Sequence, residues 1–154
     1  MNFIRTLGFV PYWAAATWLY RRQNLVEGAG YRTRALLADG ALDPALDNAV
    51  PISNLIARAR RVAEGMNLVL AGADLVWLDA GADVAWRQGD DAIAAHVGIV
   101  TNPGSMLYSG NESALVLPGQ VVAISTKPLW SMINAGETPF VTLRLMLESP
   151  PAAA

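Results

Sequence analysis

The chain has 154 residues, of which 53% are hydrophobic and only 16% charged, with a formal net charge of −2. That length holds one domain, and the charged share falls below the roughly 25% of an average soluble domain, so some apolar surface calls for a cover beyond one small core. With no Cys and a single His, His96, disulfides and thiolate chemistry are excluded, and a multi-His metal site within one chain is impossible.

Charge is unevenly spread. Residues 1–64 carry eight Arg against five acidic side chains, net +3, and residues 65–154 carry two Arg and one Lys against eight, net −5. Opposite signs at the two ends favour head-to-tail contact between copies, although unplanned surface charge gives the same count.

The first twenty residues hold Phe3, Phe9, Tyr12, Trp13, Trp18 and Tyr20, and no residue from Thr6 to Tyr20 is charged. The uncharged run is shorter than the roughly 20 apolar residues of a membrane-spanning helix, and Pro11 interrupts it. A signal peptide would have a longer and less aromatic core. The pattern predicts an apolar arm and a short helix starting at Pro11, docked on another protein. Membrane attachment through residues 1–22 is the alternative. Gly28, Gly30, Gly40 and Pro44 make residues 23–50 a connector.

Residues 51–65 read as an amphipathic helix. Ile52, Leu55, Ile56, Ala59, Val62 and Ala63 share one face at 100° per residue, Arg58, Arg60 and Arg61 fall in its later turns, and Gly65 suits the position just past its end. Residues 66–148 read as an antiparallel β-sandwich or jelly-roll module, followed by a tail over 149–154. Short apolar runs recur every 8–12 residues with turn signals between them. Asn102-Pro103-Gly104-Ser105 and Leu117-Pro118-Gly119-Gln120 each predict a type II turn. Leu68–Leu70 and Leu75–Leu78 read as separate strands, and Phe140–Glu148 alternates most cleanly. Val141, Leu143, Leu145 and Leu147 are assigned to the core. Phe140, Thr142, Arg144 and Met146 are assigned to a face that meets a neighbour.

No catalytic set emerges. Asp90, Asp91 and His96 have the residue types of a cation site, but Gly89-Asp90-Asp91 reads better as a turn. His96 is expected to face solvent or an interface from within a strand. Its pairing with Ser105 or Ser109 lacks any nucleophile motif. The basic helix is too weakly charged overall to mark a nucleic-acid surface. Catalytic, cofactor and metal residues are therefore expected to be absent. The expected contact residues are Phe9, Tyr12, Trp13, Trp18 and Tyr20 of the arm, with Phe140 and Met146 of the last strand.

The strand-and-turn cadence of Val84 through Asp90, Ser105 through Tyr108, Leu117 through Ile124 and Val141 through Leu145 resembles the small β domains of tailed-phage virion proteins. The resemblance covers residues 83–148 and implies a non-enzymatic capsid decoration, adaptor or minor virion component. Its partners would be its own copies or other virion proteins, with no small-molecule substrate and no cofactor. The alternative is a membrane-anchored binding module.

Overall fold

The short alternating runs of the second half fold into two sheets packed face to face. The computed structural model describes residues 3–22, 25–38, 40–46, 49–89 and 93–151. In chain order the elements are β1 (Ile4–Phe9), α1 (Trp13–Tyr20), β2 (Tyr31–Ala35), β3 (Leu37–Ala38), β4 (Ala41–Leu42), α2 (Val50–Gly65), β5 (Val69–Leu78), β6 (Arg87–Gln88), β7 (Ile93–Val100), β8 (Ser105–Ser109), β9 (Glu112–Leu115), β10 (Gln120–Ser125), β11 (Leu129–Asn134) and β12 (Phe140–Glu148). The larger sheet runs β1-β10-β7-β12-β5-β2, the smaller one β6-β11-β8-β9, and β3 pairs with β4 in a separate hairpin. From β5 onward the chain passes back and forth between the two sheets, with antiparallel pairing throughout, which makes the expected jelly-roll.

The larger sheet is covered on both faces, because its central strands β5, β7, β10 and β12 alternate between two cores. One face carries Leu75, Val97, Val121, Val141, Leu143 and Leu145 against the helices. There α2 contributes Ile52, Leu55, Ile56, Ala59 and Ala63, all buried. Burial of a side chain such as Ile52 or Leu55 is worth about 1.5–3 kcal/mol over leaving it exposed. The opposite face carries Val76, Leu78, Val122, Ile124 and Phe140 against Leu107, Trp130 and Met132 of the smaller sheet. The neighbour expected beside Phe140, Thr142, Arg144 and Met146 is therefore the chain's own second sheet.

The arm is not detached. Residues 4–9 pair with β10 as an edge strand of the larger sheet, from Ile4↔Ile124 to Phe9↔Gln120. The Glu112 carboxylate accepts from the Phe3 amide at 2.6 Å and stitches this end down. The connector supplies β2, which pairs with β5 at the other edge. The two expected strands over residues 68–78 are one continuous strand, Val69–Leu78, with Gly72 and Asp74 inside it. The helix ends where expected, but Gly65 is not the residue just past its end. Gly65 stays helical, and the left-handed position falls on Asn67, φ 57°, the kind of residue that tolerates it after Gly.

Only one of the two Pro-Gly turns is built as expected. Gly119 has φ +76°, and the Gln120 amide donates to Leu117 O at 3.1 Å. Gly104 has no positive φ. It is demanded by close approach, since a Cβ there would lie 2.4 Å from the Gly136 nitrogen. At this end of the sandwich Asn102 and Asn134 knot the β7–β8 and β11–β12 loops together. Asn102 Nδ2 donates to Asn134 Oδ1 at 3.0 Å, and Asn134 Nδ2 donates to the carbonyls of Leu78, Asp79 and Thr138.

Candidate functional site

The other end of the sandwich is open, and polar side chains line it. Register places Val122, His96, Arg144 and Asp74 opposite one another on four adjacent strands, β10, β7, β12 and β5. Side chains in such a row point to the same face of a sheet, here the face turned toward the smaller sheet. Around the last three lies a cavity of about 310 Å³, also lined by Gly89, Ile93, Ala94, Ile124, Thr126, Trp130 and Met146. Its walls are mostly apolar with a few convergent polar groups, the usual make-up of a small-molecule site.

The polar groups are tied together. Arg144 donates through one terminal nitrogen to Asp74 Oδ2 at 2.6 Å and through the other to the Tyr31 hydroxyl at 3.4 Å. Both members of the ion pair are largely shielded, with side-chain exposures of 17% and 18%. Arg87 lies over the Tyr31 ring, its guanidinium carbon 5.4 Å from the centroid, so a second cation stands near the Arg144 anchor. His96 Nδ1 meets Thr142 Oγ1 at 2.8 Å on the neighbouring strand. Among the described residues, two buried nitrogens here have no hydrogen-bond partner: Nε2 of His96 and Nε of Arg144.

Electrostatics follows from this packing. Burial, with Arg144 adding to it, pushes the His96 imidazole down to about 3, so it is neutral across the physiological range. Burial works against the Arg144 charge, but Asp74 and Tyr31 outweigh it and raise its value. The site is thus a fixed guanidinium beside a neutral imidazole under apolar walls. Chemically it can receive an anion, above all a planar carboxylate, and shield it from water.

The expected contact residues scatter. Phe9, Trp13 and Tyr20 are exposed, at 64%, 73% and 76%. Trp18 and Phe140 are buried in the chain's own two cores. Tyr12 stacks edge-on against Trp13, and Met146 lines the intersheet cavity. Trp13 and Tyr20 border a separate apolar groove with Trp77, Val100 and Pro139. His96 is fully buried, contrary to the expectation that it faces solvent or an interface, because its strand is covered on both faces. Asp90 and Asp91, and the tail from Ala152, lie outside the described residues. Arg144, Asp74 and Tyr31 did not stand out as site residues. The available signal was a charge in mid-strand, Asp74 and Arg144 each flanked by apolar residues on both sides.

No protein-family model matches the chain, and no curated protein matches its sequence. Solved structures do share its fold. AviO1 from Streptomyces viridochromogenes has a TM-score of 0.67 at 13% identity, over 99% of this chain and 92% of that one. The collagen prolyl hydroxylase of Paramecium Bursaria Chlorella virus-1, solved as its 2OG complex, has a TM-score of 0.65 at 7% identity, over 97% of both chains. An oxidoreductase of the 2OG-Fe(II) oxygenase family from Burkholderia pseudomallei has a TM-score of 0.64 at 12% identity, over 98% of this chain and 86% of that one.

These likenesses overturn the resemblance to phage virion domains. The cadence that carried it belongs to the jelly-roll in general, and the shared fold extends over nearly the whole chain, N-terminal residues included. The expectation of a non-enzymatic assembly module without a small-molecule substrate falls with it, since the chain shares its fold with enzymes and has a largely apolar cavity of small-molecule size with a few convergent polar groups. The membrane-anchored alternative has no support either. Residues 4–9 are a sheet strand, α1 has eight residues, and no helix among the described residues is long and apolar enough to cross a membrane. What the comparisons establish is the fold: a jelly-roll of the kind found in 2OG-Fe(II) oxygenases.

Proposed function

We propose that the chain is a small-molecule enzyme whose intersheet cavity binds an organic acid of the 2-oxoglutarate class. The observation that carries this reading is the Arg144 guanidinium, anchored at 2.6 Å to Asp74 yet with its buried Nε free of any described partner, beside the neutral His96 in a cavity of about 310 Å³. Buried N–H donors in folded proteins are nearly always paired, and a carboxylate is the acceptor that matches a guanidinium in shape and charge. The 2OG complex of a hydroxylase with the same fold supports the choice of acid.

Each residue has a part in holding such a ligand. Arg144 takes the carboxylate, and Asp74 and Tyr31 hold the guanidinium in place. Thr142 fixes the His96 ring, which offers one uncharged polar nitrogen. Ile93, Ile124, Met146 and Trp130 exclude water and so strengthen the ionic contact. Calorimetric titration of 2-oxoglutarate into the full chain tests this. Saturable binding that weakens at least about tenfold in Arg144→Lys, which keeps the charge but loses the fork, is expected. Equal affinity in the two proteins would contradict it.

A further inference from the structure

The fold is shared with a protein of the 2OG-Fe(II) oxygenase family, which raises the question whether this chain can hold iron. The usual centre of such oxygenases is two imidazoles and one carboxylate. Residues 1–154 contain one His and no Cys, so they cannot supply that set. No three His, Cys, Asp or Glu side chains cluster in a metal-ligating group among the described residues. The one imidazole and the nearest carboxylate in its row are separated by Arg144, which lies in register with both and is bonded to Asp74. A divalent cation seated on His96 and Asp74 would meet that guanidinium at close range. It would also have to break the ion pair.

We infer that this cavity holds its acid with the Arg144 guanidinium alone and without a metal ion. The inference rests on the carboxylate reading above and deepens it. In a metal-dependent site the ligand oxygens complete the coordination of the ion. Here the positive charge is already fixed in the sheet, and two buried nitrogens, Arg144 Nε and His96 Nε2, await a partner. The acid supplies acceptor oxygens to the first. Whatever reaction follows therefore uses chemistry other than that of a two-His iron centre.

The test uses the full chain without a polyhistidine tag, so that every imidazole signal belongs to His96. The protein is dialysed against Mn²⁺, its metal content is measured, and its imidazole ¹⁵N resonances are recorded. 2-Oxoglutarate is then titrated calorimetrically in EDTA and in Mn²⁺. Expected are less than about 0.1 Mn²⁺ per chain, His96 signals that survive the paramagnetic ion, and affinities that agree within about twofold in the two buffers. Near-stoichiometric Mn²⁺ with loss of the His96 signals would overturn the inference. So would 2-oxoglutarate binding seen only with Mn²⁺, which leaves the carboxylate reading standing. If 2-oxoglutarate binds in neither buffer, the carboxylate reading fails and this inference fails with it.

Discussion

Arg144 lies directly opposite His96 on one side and Asp74 on the other, and it bonds only the second, at 2.6 Å. A strong cation thus sits in the middle of a sheet, on the face between two layers, with one flank neutralised. That arrangement is costly to bury and tolerates loss of either partner poorly.

Truncating one member of the pair should therefore cost more than removing both. Arg144→Met is expected to lower unfolding stability by about 2–4 kcal/mol, because it strands the shielded Asp74 carboxylate. Asp74→Asn added to Arg144→Met should recover a good part of that loss. Urea denaturation of the unaltered chain, Arg144→Met, Asp74→Asn and the double variant measures it, and additive costs would contradict the coupling.

The buried imidazole sets a pH window. His96 has a folded value of about 3 against an ordinary value of 6.5, so between those pH values the unfolded chain binds a proton that the folded chain refuses. This contribution is intact above pH 6.5 and is lost as pH falls toward 3, at about 1.4 kcal/mol per pH unit. His96→Asn, which keeps a polar group near Thr142 Oγ1, should flatten the stability curve over that range relative to the unaltered chain. Parallel curves would show that the imidazole is not held neutral.

The Asn knot at the end of the sandwich away from the cavity is the expected hot spot for stability. Asn134 is fully buried and bonds the Leu78, Asp79 and Thr138 carbonyls as well as Asn102. Asn134→Leu removes a donor to those carbonyls and the acceptor of the Gly136 amide, and should cost about 1–3 kcal/mol. The same change should leave 2-oxoglutarate affinity within about threefold at temperatures where the variant is folded, since the knot and the cavity lie at opposite ends of the sheets.

Gly119 and Gly104 separate two reasons for glycine. At Gly119 both the φ of +76° and a carbonyl 2.5 Å from a would-be Cβ forbid a side chain. At Gly104 only the close approach does. Gly119→Ala is expected to destabilise by about 2 kcal/mol or more, and thermal melting decides it. A neutral substitution would mean that the β1–β10 corner yields easily.

The strands of the jelly-roll were legible because β10 and β11 are short apolar runs, β12 alternates, and Pro- or Gly-containing turns punctuate them. The helix over 51–65 was legible from one apolar stripe. Strand order was not, since alternation names a buried face without naming what covers it. For that reason Thr142 and Arg144 read as a face toward a foreign neighbour, whereas they lie under the chain's own second sheet. Asp74 was lost for a related reason. With Gly72 it splits an apolar run, and only pairing with β12 and β2 shows the strand to be continuous. The aromatic N-terminus misled through composition, since β1 is tied into the sheet while Trp13 and Tyr20 of α1 remain exposed.

The most direct measurement is a crystal structure of the full chain grown with saturating 2-oxoglutarate. The expected result is a carboxylate between the sheets, within hydrogen-bond distance of the Arg144 guanidinium and walled by Trp130 and Ile124. Ligand density in the apolar groove beside Trp13 and Tyr20 instead, with the intersheet cavity unchanged, would contradict the assignment of the site.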